Sequence, residues 1–94
     1  MNYLVIGRDY ADAAERRQAC RADHLEGVKE LKAQGKIAYA VAILEGGKMV
    51  GSVMVMSFDT PAEFEAWKNT EPYITEKVWE SVEVSECAIP PLFQ

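Results

Sequence analysis

Apolar and polar residues follow two periods along the chain, one typical of strands and one typical of helices. Short apolar segments bounded by turn residues predict strands over 3–8, 37–44, 49–58 and 78–87. Gly46-Gly47 separates the second segment from the third. This pair predicts a tight hairpin, because type I′ and II′ turns require positive φ angles.

The first helix is predicted over 13–34. This stretch is rich in Ala, Glu, Arg, Leu and Lys, contains no proline and is followed by Gly35. Asp12 is the predicted N-cap, with Glu15 three residues later as in a capping box.

A second helix is predicted from Thr60, with Pro61 at its first position and Glu63 at its third. It ends before Glu71, since a residue that precedes a proline avoids helical backbone angles. The tail 88–94 contains two prolines and is not expected inside a sheet. The order β-α-β-β-α-β predicts an α+β, ferredoxin-like fold with a four-stranded antiparallel sheet and two helices on one face.

The second and third strands are apolar on both faces, which is typical of strands that are covered on both sides. Two helices can cover only one face of the sheet. A homodimer that joins the two open faces is the simplest way to cover the other. The second strand shows the pattern, with one face formed by Ile37, Tyr39, Val41 and Ile43 and the other by Ala38, Ala40, Ala42 and Leu44.

The 94 residues fit a single domain, 1–94, and the net charge of −5 argues against nucleic acids and anionic membranes as partners. No apolar run reaches the length of a membrane span, and the N-terminus lacks the basic region of a signal peptide. We therefore expect a cytoplasmic protein without a membrane partner. One histidine and no CxxC motif predict no metal site, and the absence of a glycine-rich phosphate loop predicts no nucleotide cofactor.

One stripe of the first helix contains the residues that are most relevant to chemistry. At about 100° per residue, six positions share an arc of the helix that should face the sheet. A histidine and an arginine there need polar partners or a wet cavity, because unpaired burial is unfavourable. The stripe therefore either leaves a pocket or holds His24 as a satisfied core residue; its members are Ala13, Arg17, Cys20, His24, Val28 and Leu31.

A carboxylate partner for His24 is available at the end of the first strand, where Asp9 precedes the turn into the helix. A His–Asp pair is the smallest unit for general acid–base catalysis, although Asp9 also suits a turn or capping role. Glu71 and Tyr73 are read from composition as a helix end with a packed aromatic ring. Cys20 is one turn from His24 and is assigned to the core, since cysteine is commonly buried.

The chain resembles the YciI-like proteins over nearly its whole length. The resemblance implies a dimeric α+β barrel and a His–Asp active site in a pocket between helix and sheet, with His24 and Asp9 as its catalytic residues. The residues that show it are Asp9, Ala11-Asp12, Glu15-Arg16-Arg17, Arg21, His24-Leu25, Gly35, Glu71-Pro72-Tyr73 and Val78.

Two segments depart from the family pattern and alter the rim of the expected pocket. Ala40-Val41-Ala42 replaces an Ala-Gly-Pro motif, and Glu71-Pro72-Tyr73 replaces Asp-Pro-Tyr. One branch of the family removes HCl from chlorinated hydroxyquinols, and the related muconolactone isomerases share the barrel.

The resemblance leads to the hypothesis of a cofactor-free lyase on a small aromatic substrate. Arg17 and Arg21 would stabilise the oxyanion or the departing chloride, and Glu71 and Tyr73 would complete the substrate-binding site. A muconolactone-isomerase-like enzyme and a non-catalytic ligand-binding dimer are the alternatives.

Overall fold

The computed structural model describes residues 1–93 and contains one four-stranded antiparallel sheet in the order β2-β3-β1-β4. This order and the helices packed on one face confirm the predicted ferredoxin-like fold. The strands are β1 (Asn2–Asp9), β2 (Ile37–Glu45), β3 (Lys48–Ser57) and β4 (Trp79–Glu86). The helices are α1 (Ala14–Ala33), α2 (Pro61–Lys68) and the single turn α3 (Pro72–Thr75), with a 3₁₀ turn at Pro91–Phe93.

The prediction that Asp12 caps α1 is wrong. Ala13 occupies the N-cap position and no side chain caps the helix there. The Asp12 carboxylate instead accepts a hydrogen bond from Arg16 Nη2 at 3.2 Å, one turn further on. An i,i+4 ion pair on the helix surface thus takes the carboxylate that a capping box would have used.

The start of α2 follows the prediction. Thr60 Oγ1 accepts a hydrogen bond from the Glu63 backbone N–H at 3.2 Å, and Pro61 opens the helix. The segment after Glu71, where the sequence predicts only a helix end, forms α3. The Glu71 side chain caps this short helix by accepting from the Tyr73 backbone N–H at 3.1 Å, and Pro72 has the φ angle that a first helical position needs.

The hairpin between β2 and β3 is a two-residue turn. Gly46 has a φ of 58° and Gly47 a φ of 80°. Positive φ at both central positions defines a type I′ turn, whose twist matches that of the flanking strands. The predicted hairpin is therefore confirmed, and it fixes the register that aligns β2 with β3.

The hydrophobic core lies between the sheet and the helices. Alternate residues of β1 and β3 point into it, so that Val5 pairs with Met54 and Tyr3 with Met56. The Tyr3 ring stacks on Phe64 of α2 at a centroid distance of 4.2 Å. This aromatic end of the core anchors α2 and leaves the opposite end, under the first half of α1, for polar residues.

The other face of the sheet is apolar and partly exposed within residues 1–93, and the tail residues Pro90 and Phe93 border a groove there with Leu4, Tyr39 and Val55. It is formed by the residues of β1, β2 and β3 that alternate with the core positions, and the edge-strand side chains are the most exposed, with Tyr39 at 65%. The two-faced pattern predicted from the sequence is present. The outer apolar face comprises Leu4, Ile6, Tyr39, Val41, Ile43, Val53 and Val55.

Candidate active site

The stripe predicted along α1 faces the sheet. Arg17, Cys20 and His24 are the buried residues of this helix. Their spacing of three and four residues places them one above another on a single face. Two polar side chains are thereby held beneath the helix, where each needs a buried partner.

His24 has such a partner in Glu71. Its Nδ1 atom lies 2.5 Å from Glu71 Oε1, and the two side chains are only 8% and 2% exposed. The same carboxylate oxygen caps α3 through the Tyr73 N–H, so Glu71 is fixed from two directions. Next to an ionised carboxylate, which only accepts hydrogen bonds, the ring nitrogen Nδ1 is the donor.

The prediction that Asp9 contacts His24 is wrong. Asp9 instead accepts two hydrogen bonds from Arg17, one from Nε at 2.7 Å and one from Nη2 at 2.9 Å. Arg17 lies two turns before His24 in α1 and therefore faces the end of β1, where Asp9 is located. The planar guanidinium fits a carboxylate in this two-point geometry better than an imidazole does.

Arg17 connects the two ion pairs through Tyr73. Its Nη2 also donates to Ser52 Oγ at 3.0 Å, and its guanidinium carbon lies 4.6 Å from the centre of the Tyr73 ring. The His24 ring stacks on Tyr73 at 3.9 Å with 13° between the planes. Burial lowers the pKa of Arg17, but the Asp9 carboxylate outweighs burial and raises that pKa above its ordinary value.

Tyr73 is 1% exposed, and burial raises the pKa of its phenol. The nearby guanidinium groups of Arg17 and Arg21 act in the opposite direction without reversing the shift. The hydroxyl therefore remains protonated at neutral pH. The Tyr73 hydroxyl is thus an uncharged group near the guanidinium groups of Arg17 and Arg21.

A cavity of about 160 Å³ opens between α1 and the strands β2 and β3. Ala40 and Ala42 have short side chains on the helix-facing side of β2 and leave the space that larger residues would fill. His24 is both a buried, satisfied residue and part of a cavity wall, so each of the two possibilities left open by the sequence holds in part. The wall consists of Arg17, Arg21, His24, Leu25, Ala40, Val41, Ala42, Met49, Ser52, Met54 and Tyr73.

Sequence reasoning identified four of the polar residues here but missed Ser52. It is 6% exposed, and because its oxygen accepts from Arg17, its hydroxyl hydrogen is free to donate. The sequence does contain a signal for Ser52. Ser52, Met54 and Met56 are alternate residues of one strand, so their side chains point to the same buried face, and Ser52 is the polar residue among them. A lone serine on the core side of an apolar strand indicates a polar neighbour or a cavity.

Cys20 lies in the core, as predicted. It is 7% exposed, and its Sγ donates to the Arg16 backbone oxygen at 3.1 Å. Burial raises the pKa of the thiol. Cys20 is absent from the cavity wall among residues 1–93, so it takes no part in the candidate chemistry.

No helix between residues 1 and 93 is long and apolar enough to cross a membrane. Over the same range, no three histidine, cysteine or acidic side chains are grouped as a metal site would require.

Fold and site define a class: small α+β proteins in which a histidine–carboxylate pair lies beneath the first helix, beside a cavity. Residues 1–88 match the YCII-related domain, and the chain belongs to this family. It is 29% identical over 91 residues to the protein YciI of Escherichia coli, covering 89% of this chain and 93% of that protein. The same values hold for YciI of Shigella flexneri.

A solved structure shares the fold over most of its length. It is the 5-chloro-2-hydroxyhydroquinone dehydrochlorinase TftG from Burkholderia phenoliruptrix, in complex with 2,5-dihydroxybenzoquinone. The TM-score is 0.84 and the identity 22%, with 94% of each chain covered. At this identity the likeness shows the fold.

Proposed function

We propose that this chain is a cofactor-free lyase that acts on a small hydroxylated aromatic ring, most concretely by removing HCl from a chlorinated hydroxyquinol. The observation that carries the proposal is the His24–Glu71 pair, whose histidine lines the cavity. Glu71 fixes the tautomer and stabilises the imidazolium, which leaves Nε2 to accept and return a proton. Alanine and methionine side chains on the same wall provide apolar contact for a ring.

The fold shared with the Burkholderia phenoliruptrix dehydrochlorinase supports the choice of substrate class. That enzyme forms a complex with 2,5-dihydroxybenzoquinone, a dihydroxylated ring, and a ring of similar size suits a cavity with short alanines on one side. A single histidine that moves protons is sufficient for elimination from such a ring.

The proposed reaction needs only one base, and its atoms and charges balance. His24 Nε2 takes the proton of the hydroxyl ortho to chlorine, and the imidazolium returns it to the chlorine-bearing carbon, which gives a ketone. The hydroxyl meta to chlorine then loses its proton, its electron pair moves through the ring, and the carbon–chlorine bond breaks. Chloride leaves with the bonding pair, so the net products are a hydroxyquinone, one proton and one chloride ion.

The other side chains have distinct roles in this scheme. Asp9 and Arg17 are positioning residues, since their ion pair holds the Arg17 guanidinium against Tyr73 and Ser52. Arg21 and Tyr73 line the cavity and would contact the substrate. Glu71 takes the position beside His24 that the sequence had suggested for Asp9.

The decisive experiment measures chloride release from 5-chloro-2-hydroxyhydroquinone under anaerobic conditions with purified protein. His24→Ala should lower the rate by about a hundredfold or more, the usual scale for loss of a general acid–base group. Glu71→Gln keeps the shape and removes the charge, and should lower the rate at least about tenfold. Glu76→Gln, on the exposed end of α3, is the matched control and should leave the rate unchanged.

Three outcomes would contradict the lyase proposal. Turnover of muconolactone without chloride release would indicate the isomerase alternative. Ligand affinity that persists in His24→Ala, with no turnover in either protein, would indicate a binding module. Full activity in His24→Ala would remove the histidine from the mechanism altogether.

A further inference from the structure

The cavity wall differs in charge from the rest of the chain. The sequence has fifteen acidic and ten basic side chains, yet no acidic residue lines the cavity among residues 1–93. Two arginines and the only histidine do line it. A cation-lined cavity in an acidic protein indicates a ligand of negative charge.

Arg17 is not the cation that such a ligand would meet. Its side chain is 7% exposed, and its guanidinium already makes two hydrogen bonds to the Asp9 carboxylate. A buried, two-point ion pair satisfies both charges, and an incoming anion would have to compete with Asp9. Arg17 therefore contributes packing and geometry and leaves the cavity wall without net charge at this position.

Arg21 is in a different situation. It lies one turn after Arg17 and three residues before His24, so its side chain is on the same side of α1. The Arg21 guanidinium has no hydrogen bond or ion pair with any other residue in the described range 1–93. Its side chain lines the cavity, and its charge opposes the increase that burial causes in the pKa of Tyr73.

We propose that the cavity selects ligands with one ionised oxygen, a carboxylate or an ionised ring hydroxyl, and that Arg21 is the residue that makes this selection. The proposal rests on the proposed function only in taking the same cavity as the ligand site. It adds the charge of the ligand and the specificity-determining residue. For a hydroxyquinol it also means that Arg21 favours the ionised hydroxyl, the form from which the elimination proceeds.

Binding of two near-isosteric probes tests the selection directly. In calorimetric titrations at pH 7, the protein should bind 2,5-dihydroxybenzoate at least about tenfold more tightly than 2,5-dihydroxybenzamide, the scale of one charge-assisted hydrogen bond. Arg21→Gln should abolish this preference by weakening the carboxylate alone, and Arg21→Lys should retain part of it. Lys29→Gln, an equal charge change on the exposed side of α1, should leave both affinities unchanged.

A second probe separates the two kinds of ionised oxygen. 4-Nitrocatechol absorbs at longer wavelength once its ring hydroxyl is ionised. Wild-type protein should shift this ionisation to lower pH, whereas Arg21→Gln should not. A shift without carboxylate preference would support the ring hydroxyl as the ligand group, and the reverse would support the carboxylate.

Other results would overturn the proposal. These are equal affinity for the benzoate and the benzamide combined with an unshifted nitrocatechol, a preference that survives Arg21→Gln, or no binding of any probe by the wild-type protein. The outcomes are distinguishable from failure of the lyase proposal. Anion selection without chloride release would contradict only the reaction, and chloride release without anion selection would contradict only the role of Arg21.

Discussion

At the scale of single residues, the two carboxylates near Tyr73 have different roles. Asp9 neutralises a permanent cation, and Glu71 holds a group that can gain or lose a proton. The positions of the two residues in the fold explain why their partners differ. Asp9 ends β1 opposite the early part of α1, whereas Glu71 precedes α3 and lies 47 residues from His24 in the chain.

Asp9→Asn should lower the free energy of unfolding by about 3 kcal/mol or more, because it leaves the buried Arg17 cation without its counter-charge. Urea unfolding measures the loss. The double variant Asp9→Asn, Arg17→Met should recover part of the stability, since it removes the unpaired charge as well. Equal stability of wild type and Asp9→Asn would mean that the ion pair contributes nothing.

The Cys20 thiol should contribute to stability only below alkaline pH. Burial raises its pKa in the folded state, so the contribution is complete below the unfolded value of about 8.5 and is lost as the pH rises above it. In a Cys87→Ser background, urea midpoints should fall more between pH 8 and pH 10 than in the same protein carrying Cys20→Ala. Cys20→Ala should leave any activity within a few-fold of wild type, and a hundredfold loss with the fold intact would assign the thiol a catalytic role.

At the scale of elements, the α1 stripe shows what the sequence could predict. Helical periodicity placed Arg17, Cys20 and His24 on the buried face of α1, and the structure confirms this placement. Periodicity does not say which distant carboxylate meets each side chain, because that depends on how far α3 and the end of β1 reach beneath the helix. Asp9, at the end of β1, was the predicted partner of His24, but Glu71 has that position.

Gly7 of β1 and Trp79 of β4 pack against each other and support the site. A Cβ atom on Gly7 would lie 2.2 Å from the indole ring of Trp79, a distance that no packing allows. That indole contacts the Tyr73 ring at 5.7 Å and the His24 ring at 6.5 Å, measured between centroids. The absence of a side chain at position 7 therefore sets the position of the aromatic group beside the cavity.

Gly7→Ala should destabilise the protein by roughly 1–3 kcal/mol, the usual effect of overpacking, and should reduce any activity that depends on His24. Gly27→Ala is the matched control, since the added Cβ meets no atom within 4 Å and lies inside α1. At that helical position the alanine should raise the free energy of unfolding by about 0.5–1 kcal/mol. Urea unfolding of both variants measures the contrast, and similar effects at the two positions would contradict it.

At the scale of the whole molecule, the fold was more predictable than the site. Proline and glycine signals and strand alternation each act locally, so they predict the order of the strands and of the two longer helices, with bounds within one or two residues of those observed. The cavity exists because large side chains are absent from part of its wall, and local sequence patterns do not reveal such an absence. Ala40 and Ala42 resemble any other small strand residues until α1 is placed above them, and Ser52 gains its role only beside Arg17.

The outer apolar face of the sheet leads to a prediction about assembly. Sedimentation equilibrium at micromolar concentration should give twice the chain mass of 10.5 kDa. Tyr39→Lys, at a position 65% exposed on that face, should shift the protein toward the monomer without loss of secondary structure. Ala19→Lys adds the same charge on the exposed side of α1 and should leave the mass unchanged. A wild-type monomer would contradict the prediction.

The contact between His24 and Trp79 has an optical consequence. An imidazolium accepts an electron from an excited indole and quenches its fluorescence, whereas neutral imidazole does so weakly. With the two rings 6.5 Å apart and nearly perpendicular, emission from Trp79 should fall when His24 takes up a proton. The chain has one histidine and two tryptophans, so Trp67→Phe isolates the signal and His24→Gln should flatten it. The protonation state of His24 could then be followed by fluorescence during turnover, without a label.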